Sequence, residues 1–262
     1  IVYVSSKEES IAYAIQTIMW EWAGYQIGDP LLQTGINPKR GFKKRIKDAL
    51  FKVNYLQAFT HSTEDAQQAM AWARRQKKPV MAGYASSLYT LAKLTESKAS
   101  TPQFKTIISL GDKLFDHYRD LLQSKFKCEV FETYGTAEGF QIAAQKDLPW
   151  MYIMSPNVYL EILDDSGKEV PDGEIGHVIV TNLDSYSMPL IRYKLGDLAI
   201  KLPRKEYPAD RDLALPLLKK VIGRETDIVK TISGKHMVVH AFTGIFEHIP
   251  EIKQFQIVQD SL

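Results

Sequence analysis

A chain of 262 residues, 45% apolar and 24% charged, can bury a sizeable core, which excludes both a small stapled module and a disordered segment. Its 33 Lys and Arg against 31 Asp and Glu leave a formal charge of +2, too near balance for a bulk affinity for nucleic acid or an anionic membrane, so any anion site must be local. One cysteine, Cys128, excludes an internal disulfide and a multi-cysteine metal cluster and fits a cytoplasmic setting. The chain opens on Ile1 rather than Met, with no signal-peptide pattern, and reads as cut there. Ile11, Ile15, Ile18, Met19 and Trp22 then fall on one face of a helix over Ser6–Ala23, which Gly24 stops. A second helix is expected from about Phe42 to Val53, with Phe42, Ile46, Ala49, Leu50 and Val53 as its apolar stripe. Around it stand Lys39, Arg40, Lys43, Lys44, Arg45, Lys47 and Lys52, opposed only by Asp48. Such a cluster is either a solvated helix face or a docking surface for phosphates, those of CoA among them.

Ser62 with Asp65 three residues on has the form of a capping box and starts a third helix through Ala66, Met70 and Ala73, ended by Pro79. The segment Val80–Tyr84 leads into a helix-like stretch over Ser87–Leu94. From Phe104 the pattern is strand (Thr106–Leu110), helix (about Lys113–Phe126), strand (Cys128–Thr133), the rhythm of a parallel βαβ unit. Ligands of such sheets bind beyond the carboxyl ends of the strands, which puts the loop Thr133–Gly139 in position for chemistry. From Val158 short alternating strands and tight turns take over, as in an antiparallel sheet or distorted barrel. The apolar runs, Ile175–Val180 with His177 inside it among them, fall far short of the roughly 20 residues that cross a bilayer, so no membrane partner is expected. Val221–Gly234 reads as a strand–turn–strand hinge.

The chain has no GxGxxG, Walker A, GxSxG or HExxH, so hydride transfer and serine hydrolysis lose their usual supports. His236 and His240 are four apart in strand-like sequence, where such residues do not converge on a metal. Three motifs remain. Tyr134-Gly135-Thr136-Ala137-Glu138 offers a ring, a small residue, a hydroxyl and a carboxylate within five positions, enough to stack a base, bind a phosphate oxygen and hold Mg²⁺. Alone, it also makes an ordinary turn. Met188–Asp197 ends with a carboxylate on a glycine turn, suited to a ribose diol or simply to an ordinary turn. Gly223-Arg224-Glu225-Thr226-Asp227 sets a guanidinium beside a flexible residue, suited to ribose or phosphate oxygens or to a surface ion pair.

Together the three resemble the adenylate-forming superfamily, most closely its phenylacetate–CoA ligase branch, whose phrase is nearly that of PLIRYKLGDLA at Pro189–Ala199. GYASSLYTLA at Gly83–Ala92 is similar to the family's acid-pocket segment, and Val158–Leu183 to the stretch between its tyrosine and arginine motifs. The resemblance implies a large α/β adenylation domain, with an α/β part over 1–157, a β-rich subdomain over 158–222, and a hinge and the start of a small C-terminal domain over 223–262. It implies that Tyr134 packs on adenine with Gly135 beside it, Thr136 touches the α-phosphate, Glu138 coordinates Mg²⁺, Asp197 holds the ribose hydroxyls and Arg224 contacts ribose or phosphate. Gly83 and Tyr84 would line the pocket of the carboxylic acid. Asp112 stands where relatives often carry Gly-Glu. The implied activity is ATP-dependent activation of an aryl or arylacetic acid as its acyl-adenylate, then transfer to CoA, in a protein that pairs as a homodimer. The family's phosphate loop would lie upstream of Ile1, and its C-terminal lysine past Leu262. A nucleotide-binding module that keeps the pocket without the chemistry, or adenylation of another acid as in the capsule-biosynthesis relatives, is the other reading.

Overall fold

The computed structural model describes residues 2–36, 41–59, 61–95, 101–230 and 236–238, together with 246, 249, 251–252 and 255–260. Helix α1 (Ser6–Trp22) opens on a complete capping box between Ser5 and Glu8. Strand β1 (Leu31–Gly35), helix α2 (Phe42–Leu50) and strand β2 (Val53–Gln57) follow. Helix α3 (Thr63–Arg74) has the expected capping box between Ser62 and Asp65. Strand β3 (Val80–Tyr84) runs directly into α4 (Ala85–Leu94), then come β4 (Thr106–Leu110), α5 (Asp116–Phe126) and β5 (Val130–Gly135). The remaining strands are β6 (Gln141–Gln145), β7 (Met151–Ile153), β8 (Val158–Leu163), β9 (Ile175–Asn182), β10 (Tyr193–Lys201), β11 (Leu217–Arg224), β12 (Ile228–Lys230) and β13 (His236–Val238).

Eleven strands form one sheet in the order β2-β1-β3-β4-β5-β6-β7-β11-β10-β9-β8, and β12 pairs with β13 as a separate ribbon. Pairing is parallel from β2 to β5 and antiparallel from β5 onward. Period-two alternation sorts the parallel strands into two cores. Leu32, Met81, Ile107 and Val130 face one way and pack with Ala66, Met70, Leu88, Leu91 and Leu122 of the helices. Leu31, Val80, Ala82 and Ile108 face the other way, share a core with Ile15, Met19 and Trp20 of α1, and meet the inner face of the antiparallel strands at Ile142, Ile153, Leu160 and Val178. Both faces of the parallel strands are thus covered, as their βα connections require.

Two expected boundaries shift, and α2 leaves its apolar stripe open. Antiparallel pairing begins at β6 and β7, ahead of Val158, because the Thr136–Gly139 turn folds the chain straight back on β5. Helix α5 starts at Asp116 rather than Lys113, since Phe115 is still extended, and the Lys113 ammonium before it donates to the Ile222 carbonyl at 2.9 Å. Helix α2 does not bury its apolar stripe: Phe42, Ile46 and Leu50 are exposed. Lys39, Arg40, His240 and residues 231–235 of the expected hinge lie outside the described residues.

Candidate functional site

The carboxyl end of β5 meets β10 and β11 where the sheet changes from parallel to antiparallel. Tyr134, next to last in β5, donates its hydroxyl to Asp197 Oδ2 at 2.7 Å. Asp197 on β10 stands opposite Arg224 on β11, and the guanidinium Nε lies 3.1 Å from Asp197 Oδ1. Arg224 Nη1 also donates to the Leu195 carbonyl at 2.8 Å, across Gly196, whose φ of +76° is the left-handed conformation that glycine adopts freely. Asp197 is only 7% exposed, so its charge needs these donors. Burial, and then the neighbouring Asp197 carboxylate, hold the Tyr134 phenol far above its ordinary range, so it remains a donor.

Beyond Tyr134 the chain turns tightly. Thr136 N donates to the Phe140 carbonyl and Gly139 N to that of Thr136. A side chain at Gly135 would place its Cβ 2.7 Å from Phe140 O, so only glycine fits that approach. Thr136 Oγ1 is buried without a hydrogen-bond partner. Glu138 lies 3.4 Å from the Tyr193 hydroxyl and lines a separate small cleft with Glu8, Asn157 and Asp184. Glu8 fixes the rim of that cleft: its Oε1 accepts the backbone N–H groups of Tyr186 and Ser187 at 2.6 and 2.8 Å.

Tyr134, Gly135, Thr136, Asp197 and Arg224 share one cavity of about 260 Å³. The three motifs, up to 90 residues apart in sequence (134 to 224), therefore converge. The opposite wall is Gly111, Asp112 and Lys113, with Glu132 and Val221 alongside. Of these, only Asp112 was singled out from sequence, without a role. The structure gives it one: Asp112 caps α4, accepting from Ala85 N, Ser86 N (3.1 Å) and Ser86 Oγ. Burial outweighs these bonds and raises its carboxyl. Burial, and then nearby Lys220, lower the Lys113 ammonium, while burial raises Glu132 against the pull of Arg119 and Lys113. The only sequence signal for Glu132 and Lys113 was adjacency to a motif or a strand end.

Gly83 and Tyr84 do not line this cavity. Gly83 is buried, and a Cβ there would meet Thr34 Oγ1 at 1.9 Å, so its smallness serves packing between β1 and β3. The Tyr84 ring covers Gly111 from behind and lies 5.0 Å from the Phe59 ring, which makes it a second layer of the cavity wall. Among the described residues no three His, Cys, Asp or Glu side chains gather as a metal site. None of the described helices is long and apolar enough to cross a membrane.

A parallel α/β sheet continued by antiparallel strands is a fold this chain shares with solved CoA ligases. The solved 2-hydroxyisobutyryl-CoA ligase, in its postadenylation state in complex with R3-HIB-AMP, matches with a TM-score of 0.69 at 20% identity, over 92% of this chain and 53% of that one. In sequence the chain is related to phenylacetate-coenzyme A ligase of Pseudomonas putida, 29% identical over 147 residues, which is 53% of this chain and 30% of that protein. It is also related to Protein CapK of Staphylococcus aureus, 28% identical over 121 residues, 46% of this chain and 25% of that protein. The chain spans about half the length of the solved ligase and under a third of the curated one. No family model matches it. Relatives and fold agree with the resemblance carried by the three motifs.

Proposed function

We propose that the protein this chain represents activates a carboxylic acid with ATP, forming an acyl-adenylate and pyrophosphate, and then passes the acyl group to the thiol of CoA with release of AMP. The observation that carries this reading is the convergence of Tyr134, Asp197 and Arg224 on one cavity. Asp197 is an acceptor-only group held rigid by two donors, which suits a ribose diol. Arg224, fixed beside it, would reach a ribose or phosphate oxygen through its remaining N–H groups. Tyr134 and Gly135 would form the floor under adenine, the ring for stacking and the glycine for close approach. Thr136 brings a buried hydroxyl without a partner, the kind of donor a phosphate oxygen satisfies.

Glu138, two residues past that hydroxyl, faces the neighbouring cleft and would hold Mg²⁺ once turned to the cavity, an ion that binds through one or two carboxylates together with substrate phosphates and neutralises their charge. Everything else falls to positioning and fixed donors, which suffice for phosphoryl chemistry of this kind. Tyr84, packed behind Gly111, and Gly83 below it would back the acid pocket, and the aromatic pair Tyr84–Phe59 favours an aryl or arylacetic acid. One unpaired cysteine fits work in the cytoplasm.

Titration with ATP and with AMP, each with Mg²⁺, by calorimetry tests this reading. Saturable binding that Asp197→Ala weakens by at least about a hundredfold, the worth of two charge-assisted hydrogen bonds, is expected. Binding unchanged by Asp197→Ala, or no binding of either nucleotide to the whole protein, overturns it.

A further inference from the structure

Helix α2 is built inside out. On a helical projection Phe42, Ile46, Ala49 and Leu50 form one stripe, and a globular helix would turn that stripe to the core. Here Phe42 is 77% and Leu50 75% exposed, with Ile46 and the following Phe51 also exposed, while Asp48 from the polar side is buried. Arg45 and Lys47 stand to either side of the stripe in the open, Lys44 is exposed further round the helix, and Lys52 follows it. The Lys47 ammonium lies 6.0 Å from the centroid of the Phe51 ring, so cation and apolar surface are interleaved. Underneath is β2, the edge strand of the eleven-stranded sheet, so the helix forms a ridge at one margin of the sheet. That margin is four strand positions from β5 and the candidate nucleotide cavity.

We propose that α2 docks this protein on an anionic lipid surface, with Phe42, Ile46 and Leu50 entering the headgroup region and the flanking cations meeting acidic headgroups. Apolar residues on one face with Lys and Arg beside them, on a helix of low overall hydrophobicity, are what an interfacial helix requires. A net charge near zero does not oppose this, because the cations are concentrated on one short segment. A second copy fits the ridge less well. A symmetric contact through the α2 stripe brings the flanking cations Arg45 and Lys47 toward those of the copy. The acidic complement on this chain, Asp164, Asp165, Glu169, Asp172 and Glu174 around the β8–β9 turn, lies at the opposite edge of the sheet, so pairing with it gives an open chain of molecules rather than a closed dimer. A protein partner would have to supply an apolar groove lined with acid, whereas a lipid interface needs only a projecting ridge.

The test is co-sedimentation of the native protein with phosphatidylcholine vesicles and with vesicles of phosphatidylcholine and phosphatidylglycerol at three to one. Binding to the second and not the first, weakened by added salt, is expected. Lys44→Glu with Arg45→Glu and Lys47→Glu should lower partitioning by about a hundredfold, at roughly fivefold per cation. Phe42→Ser with Leu50→Ser should lower it at least about tenfold. The urea unfolding midpoint of each variant, compared with the native protein's, is the control for folding. Equal binding to both vesicle types, no binding, or binding indifferent to both sets of substitutions overturns the proposal. So does a dimer in sedimentation velocity that Phe42→Ser with Leu50→Ser dissolves, since a second copy then covers the ridge. Loss of nucleotide binding would leave this inference standing, because it rests on α2 alone.

Discussion

The two halves of the sheet bury their strands by different rules. In the parallel half, β3 and β4 are buried at four of five positions each, because helices cover one face and α1 with the antiparallel strands covers the other. In the antiparallel half, β8 and β10 alternate buried with partly or fully exposed positions, and the open face carries charge, including Arg192–Glu161, Lys194–Glu225 and Lys201–Glu169. Packing therefore fixes residue size in the first half, and pairing of charges fixes residue chemistry in the second. The candidate site draws on both: β5 supplies a rigid aromatic end, and β10 with β11 supplies the carboxylate and the guanidinium.

The sharpest break in that comparison comes from the charged side. Asp197→Ala strands the buried Tyr134 hydroxyl and frees Arg224, and should cost about 2–3 kcal/mol in urea unfolding besides the nucleotide affinity. Asp197→Asn, which keeps the shape, should recover most of the stability and little of the affinity. On the packed side, Gly83→Ala drives a methyl into Thr34 and should cost about 2 kcal/mol, part of which Thr34→Gly in the same chain restores. If that pair proves additive instead, strand packing is not what fixes Gly83.

Asp112 sharpens the comparison through pH. Its folded carboxyl titrates above the ordinary 3.8, so the folded state holds the proton more tightly than the unfolded chain. Its contribution to stability is greatest in acid and is lost as pH rises through the folded value. The advantage of the native protein over Asp112→Asn should accordingly shrink as pH climbs from below 3.8, read from unfolding midpoints at a series of pH values. The smallest effect is expected at Cys128, whose thiol is pushed up to about 12 by burial and then by Glu129. Iodoacetamide should label it only slowly at pH 8 and faster as pH approaches 12.

Much of this architecture was legible beforehand, and the reasons are local. Strand β4 was read at its observed bounds, and the capping box of α3 follows from short-range hydrogen bonds that sequence spacing fixes. The meeting of Tyr134, Asp197 and Arg224 came from motif resemblance; no spacing rule brings β5 beside β10. What escaped sequence reading depends on contacts between distant segments. Gly83 was placed beside the acid pocket by resemblance alone, and its packing against Thr34 could not be read from sequence because β1 and β3 are distant in the chain. The stripe on α2 was legible as a stripe, but periodicity tells which face is apolar and not which way that face points. Asp112 had no assignable role because its partners, Ala85 and Ser86, belong to another helix.

That last contact has a consequence for the order in which the chain acquires structure. The first turn of α4 is satisfied by a carboxylate 27 positions further along the chain than Ala85. On a growing polypeptide α4 emerges ahead of its cap, and its leading amides have only water until β4 lies against β3. Helix completion and strand addition are thereby one event, and a nascent chain that has left the ribosome only as far as residue 111 carries a β3–α4 unit whose amino end is still unfinished.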